Sequence, residues 1–217
     1  MRIAVLGTGS VGQAIAARTA ELGHQVTIGT RDVAATQAGA YAAWAAEHSE
    51  VGLATMAAAA ADAELVVNAT SGNGSLAALT AAGAENLSGK VLLDVANPLD
   101  FSAGFPPSLT VQNTDSLAER IQREFPHAKV VKSLNTMTAE LMVHPRQLAD
   151  GAHSVFVSGD DAEAKRVVTE LLVSFGHTDV IDLGDLSTAR GAEMLVPLWV
   201  RLYGRLDTAI FNIRVVR

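Results

Sequence analysis

RIAVLGTGSVGQAIA, residues 2–16, joins a short apolar run to a glycine-rich turn and then to a helical pattern. Residues 2–6 read as a buried parallel strand, apolar at consecutive positions rather than at alternate ones. Gly7, Thr8, Gly9, Ser10, Val11 and Gly12 match G-x-G-x-x-G. Alone this pattern is weak. Between a strand and a helix, with a second strand following, it marks a dinucleotide-binding βαβ unit. Gly7 permits the tight turn, Gly9 lets the backbone approach a pyrophosphate, and Gly12 lets the helix close on the strand. The helix carries Val11, Ile15, Ala16, Thr19 and Leu22 at helical spacing and stops at Gly23. Its free N–H groups and partial positive charge suit a diphosphate.

The second strand, 25–29, carries the coenzyme preference. Units that take NAD usually place Asp or Glu about 20 residues past the glycines, against the ribose 2′-hydroxyl. Here Thr30 holds that place and Arg31 follows. A carboxylate would repel a 2′-phosphate, whereas a hydroxyl and a guanidinium can both donate to it. The pair predicts NADP(H). Asp32 is expected to turn away and cap a helix starting near Val33.

Further strands are predicted at 51–55, 64–69, 90–95, 128–132, 153–158 and 178–182. Helices are predicted at 33–48, 56–62, 75–84, 115–124, 138–143 and 161–175. This alternation predicts an α/β fold, a doubly wound parallel sheet of the Rossmann, NAD(P)-binding type with a small C-terminal helical addition. Residues 1–150 are expected to form the NADP-binding domain, and 151–217 a smaller C-terminal α/β extension packed on it. Ligands of such sheets sit beyond the C-terminal strand ends. That rule brings Thr70 and Ser71, then Ala96, Asn97 and Pro98, and then Asn135 to the coenzyme. The tail, 187–212, reads as helical, with Leu195, Leu198, Trp199, Leu202, Leu206, Ile210 and Phe211 at helical spacing and Pro197 starting or kinking the helix. Its apolar face is expected to cover the sheet or to meet a second copy in a homodimer.

The 217 residues hold 16 Lys and Arg against 23 Asp and Glu, for a net charge of −7, with no basic cluster; nucleic acid is a poor partner. Cysteine is absent, which excludes disulfides, thiolate metal sites and a cysteine nucleophile and fits a reducing cytoplasm. No apolar run approaches the roughly 20 residues that span a membrane, and the opening motif leaves no room for a signal peptide. Neither G-x-S-x-G nor His-x-x-x-His occurs, so a serine hydrolase and a metal site lack support. Tyr41 and Tyr203 have no lysine four positions later. Without such an acid the hydride acceptor is expected to need no concerted protonation, as flavins and deazaflavins do not. No catalytic residue is identified.

The chain resembles the NADP oxidoreductases dependent on the deazaflavin coenzyme F-420 (F420). The resemblance spans nearly the whole chain. It rests on GTGSVGQAIA at 7–16, TIGTRD at 27–32, DVANPL at 94–99, KSLNTM at 132–137, GDD at 159–161 and LSTARGAE at 186–193. The fold is also similar to the cytosolic reductase domain of the STEAP metalloreductases. The resemblance implies a compact domain, often dimeric, with NADPH across the sheet edge. A small-molecule redox acceptor, F420 or a flavin, would lie against the nicotinamide. It also implies that Thr8 to Val11, with Thr30 and Arg31, hold NADP. Relatives often add a lysine a few positions after the arginine; here Val33-Ala34-Ala35-Thr36 contains no base, so specificity rests on Arg31. Other readings stay open: a ferric reductase, an imine or carbonyl reductase, and a non-catalytic NADP(H) sensor. The short C-terminal region argues against the imine or carbonyl reductase.

Overall fold

A computed structural model describes all 217 residues. The opening unit folds as β1 (Arg2–Leu6), α1 (Ser10–Glu21) and β2 (Gln25–Thr30). After it come α2 (Val33–Ala38), α3 (Tyr41–Glu47), β3 (Gly52–Thr55), α4 (Met56–Asp62), β4 (Leu65–Asn68), α5 (Gly72–Ala82), α6 (Ala84–Leu87) and β5 (Val91–Asp94). A small hairpin, β6 (Leu99–Asp100) and β7 (Ser108–Leu109), precedes α7 (Leu117–Glu124), β8 (Lys129–Ser133) and α8 (Ala139–Val143). The chain ends with β9 (Ser154–Gly159), α9 (Ala162–Phe175), β10 (Asp179–Gly184), α10 (Ala189–Met194) and α11 (Val196–Leu206).

Eight strands form one sheet in the order β10-β9-β8-β5-β4-β1-β2-β3. The chain winds outward from β1 to β3, then returns to lay β4 on the other side of β1. That reversal opens a crevice at the C-terminal ends of β1 and β4. The central strands are buried on both faces, which is why they read as continuous apolar runs, while the edge strands β3 and β10 are partly exposed. Val5, Leu65 and Val67 pack with Ile15, Leu141 and Leu172 on one face. Leu6, Val66 and Leu92 pack with Ala60, Leu79 and Ile121 on the other. No helix is long and apolar enough to cross a membrane.

Four expectations need correction. The sheet is parallel except that β8 and β9 run antiparallel, so β9 and β10 extend the same sheet in reverse. A parallel link needs a crossover, usually on a helix. Between β8 and β9 the helical pieces are short, α8 with 5 residues and two single turns at Pro145–Gln147 and Ala149–Gly151, so no crossover helix forms there. The single helix expected at 33–48 is two, broken at Gly39, whose extended backbone (φ −100°, ψ −163°) ends α2. α5 starts at Gly72 rather than at residue 75. Glycine is a poor helix former, but a Cβ on Gly72 would lie 2.1 Å from the Asn97 carbonyl oxygen. The tail is helical only to Leu206; Asp207 is left-handed (φ 53°) and stops α11. Beyond it the chain lies along β9, where Ser154 N–H donates to the Ile213 carbonyl at 2.9 Å. Ile210 and Phe211 therefore leave the helix, and Phe211 stacks on Trp199 with centroids 5.1 Å apart.

Just after α9, His177 is 3% exposed, and its Nε2 lies 3.0 Å from the Met142 carbonyl. Burial lowers its pKa to about 4; the Met142 carbonyl opposes that shift, and His153 adds to it. Unfolding restores a pKa near 6.5, so the unfolded chain binds more protons between the two values. Stability from this group is complete above about pH 6.5 and falls as pH drops toward 4. The loss is expected to be about 3 kcal/mol. Urea midpoints from pH 7 to 4.5 should fall less steeply in His177→Gln than in the wild type; equal slopes would refute the assignment.

Candidate functional site

Two cavities meet at the C-terminal ends of β1 and β4. One, about 750 Å³, is walled by the 7–9 turn, by Gly29 to Asp32, and by a stripe of small residues on α5, Gly74, Ala77, Ala78 and Ala81. The other, about 430 Å³, is walled by Ser10, Val11, Ala96, Asn97, Phe101, Met137 and Met142, among others. Ala69, Thr70 and Ser71 line both, so the two are halves of one crevice. A crevice at this switch point is where open α/β sheets bind their ligands.

The glycine turn has the shape its sequence requires. Gly7 sits at φ +123°, and a Cβ there would lie 2.5 Å from the Ala69 carbonyl oxygen. On Gly12 a Cβ would meet the Gly7 carbonyl oxygen at 2.1 Å, so α1 could not approach β1 this closely. Gly12 is buried and lies behind the cavity wall. Gly9 faces the larger cavity, and no protein atom lies within 4 Å of its Cβ position. The turn is thus open on the ligand side and closed on the protein side. A diphosphate fits that cradle, with the N-terminus of the 12-residue α1 behind it.

At the tip of β2, Thr30 is buried and Arg31 is exposed, and both line the larger cavity. Asp32 caps α2 as expected, its Oδ1 accepting the Ala35 N–H at 2.9 Å, yet it stays on the wall of the larger cavity. Thr36 reshapes the pair. Its hydroxyl donates to the Asp32 carbonyl at 2.7 Å and lies 2.8 Å from the Thr30 hydroxyl. One proton cannot serve two bonds, so Thr30 donates to Thr36 and turns a lone pair to the cavity. Arg31 enters none of the chain's ion pairs. Its guanidinium is the free donor of the pair.

Behind the smaller cavity lies a charged cluster that sequence reading missed. Lys132, Asp94 and Glu193 are all buried, and Lys132 Nζ lies 2.8 Å from Asp94 Oδ2 and 2.9 Å from Glu193 Oε1. Its third proton goes to the Ala96 carbonyl, which uses every donor the ammonium has. Burial alone would lower the Lys132 pKa; the two carboxylates reverse that and raise it above its ordinary value. Glu193 also accepts the first amides of α7, from Leu117 at 2.8 Å and Ala118 at 3.2 Å. KSLNTM and LSTARGAE held Lys132 and Glu193 in plain view. Nothing in their spacing tells a buried lysine at a strand end from an exposed one.

Asn135 and Pro98 line neither cavity; both are buried behind the wall. Asn135 Nδ2 donates to Asn97 Oδ1 at 2.9 Å, and Asn97 Nδ2 donates to the Asn135 carbonyl at 2.8 Å. The Asn97 side chain is therefore committed to protein, although the residue lines the smaller cavity. Thr70 is committed likewise, donating to Asn68 Oδ1 at 2.7 Å. The remaining predicted residues, Gly7 to Val11, Thr30, Arg31, Thr70, Ser71, Ala96 and Asn97, gather on the one crevice.

The chain's N-terminal half, residues 2–98, matches the family model described as NADP oxidoreductase, coenzyme F420-dependent. It is 31% identical over 209 residues to the F420-dependent NADP reductase of Methanothermobacter marburgensis, covering 93% of this chain and 92% of that protein. It is also 31% identical over 203 residues to the rat metalloreductase STEAP3, matching 91% of this chain but spanning only 38% of that protein. A crystal structure from Arthrobacter sp. FB24, provisionally named an F420-dependent NADP reductase, superposes with a TM-score of 0.99 at 64% identity over the full length of both chains.

Proposed function

The chain belongs to the family of coenzyme F420-dependent NADP oxidoreductases, and we propose that it moves a hydride between NADPH and a deazaflavin or flavin ring. One observation carries the choice of acceptor. Of the residues lining the smaller cavity, none has a side chain that titrates: Val95, Leu99, Phe101, Met137 and Met142 are apolar, and the rest are small or neutral. An acceptor that needed a protein acid would find none there, while flat apolar rings find a matching surface. NADPH when bound supplies the hydride.

The chain's own residues hold and orient. The turn from Gly7 to Val11 and the N-terminus of α1 receive the diphosphate. Arg31 receives the ribose 2′-phosphate by a charge-assisted bond. The small stripe on α5 leaves room for a flat adenine ring. Thr70 and Ser71 line the passage to the smaller cavity, where Ala96 and Asn97 form one wall. Met137, Met142 and Phe101 exclude water from the stacked rings. The likeness to the metalloreductase STEAP3 supports a ferric ion as the second acceptor. We also propose pairing of two copies through α11, where Leu198 and Leu206 are each 51% exposed; sedimentation velocity reads this directly.

The test follows NADPH oxidation at the nicotinamide absorbance band with F420, a flavin, a ferric chelate and a cyclic imine. Turnover is expected with a ring acceptor. Turnover with the imine alone would overturn the acceptor, and tight NADPH binding with no turnover would support a sensor.

A further inference from the structure

The Ala96–Asn97 wall of the smaller cavity does not hold itself. The Ala96 carbonyl accepts from Lys132 Nζ, and its N–H donates to Asp94 Oδ1 at 3.2 Å. The Asn97 side chain is bound twice by Asn135. Both supports then reach the same point on α10: Lys132 Nζ lies 2.9 Å from Glu193 Oε1, and Asn135 Nδ2 donates to the Ala192 carbonyl at 3.1 Å. Two consecutive residues of the C-terminal region thus grip two consecutive residues of the cavity wall through two separate buried links. Glu193 is itself anchored by the Leu117 and Ala118 amides of α7, so the grip is tied to the sheet's flank and not to a loose tail.

We propose that Ala192–Glu193 is a positioning element for the nicotinamide half of the site, setting the Ala96–Asn97 wall through Lys132 and Asn135. This rests on the coenzyme reading above. None of the four residues touches the adenosine half, whose walls are the glycine turn, the tip of β2 and α5. The two halves can therefore be read separately by ligand choice. NADP⁺ reports both, and adenosine 2′,5′-bisphosphate reports the adenosine half alone. A wall displaced by even 1 Å costs alignment and contact on the nicotinamide side only.

Calorimetry with both ligands tests it on the full chain. The charge-neutral variant Asp94→Asn/Lys132→Met/Glu193→Gln should bind the bisphosphate within about twofold of wild type, while NADP⁺ binding weakens about tenfold or more. Asn135→Ala breaks the second link without touching a charge and should shift the ratio in the same direction. If the triple variant fails to bind the bisphosphate, its fold is lost and Asn135→Ala decides. An unchanged ratio of the two dissociation constants, in a variant that still binds the bisphosphate, overturns the inference and leaves the coenzyme reading standing. A wild type that binds neither ligand overturns both.

Discussion

Arg31→Ala is expected to raise the dissociation constant for NADPH about 10- to 100-fold and to leave that for NADH within about twofold. The magnitude follows from the bond lost: a hydrogen bond to a charged group is worth about 1.5–3 kcal/mol, and 1.4 kcal/mol is one decade. The structure sharpens the case for this one residue. Thr30 spends its proton on Thr36, and Thr36 spends its own on the Asp32 carbonyl. Asp32 is held by the Ala35 amide as the cap of α2. The guanidinium is left to meet the 2′-phosphate without a second base beside it. Calorimetry with both coenzymes checks it, and equal losses for NADPH and NADH would refute the assignment. The effect should also shrink as salt rises, because Arg31 is exposed.

The second large effect lies where no ligand reaches. Lys132→Met should destabilise the fold by about 3–5 kcal/mol, since it strands two buried carboxylates. For a chain of this size that lowers the melting temperature by roughly 10 °C or more. The charge-neutral triple variant should regain part of the loss, because it removes the stranded charges but leaves buried amides and the Ala96 carbonyl without the ammonium. Thermal unfolding of the two variants side by side reads this. If Lys132→Met melts with the wild type, or the triple variant melts no higher than the single one, the cluster does not carry stability as described.

The order of readable features along this chain has a physical pattern. The glycine turn was legible because its requirements are local: a positive φ at Gly7 and a helix closing on a strand at Gly12 each demand a glycine, and Gly9 leaves the ligand face open. The cap at Asp32 was legible for the same reason, since it depends on residues three apart. Asn135 and Pro98 lie on loops at the strand ends, but behind the cavity wall. A rule about strand ends places loops, and only packing decides which side chain faces inward. The antiparallel turn at β9 was hidden because strand direction leaves no mark on an apolar run; it depends on how the preceding link packs.

Local chemistry in the chain was enough to determine the βαβ unit, the shape of its glycine turn and the placing of Arg31 at the tip of β2, since each is complete within about 30 consecutive residues. Tertiary structure alone decided that Thr36 takes the Thr30 proton, that α10 reaches back to Ala96 and Asn97, and that Lys132 sits between Asp94 and Glu193. Apart from Thr30 and Thr36, six residues apart, these contacts join residues far apart in the chain, across a sheet whose strand order no single segment encodes. Their energies arise only once water is excluded between them.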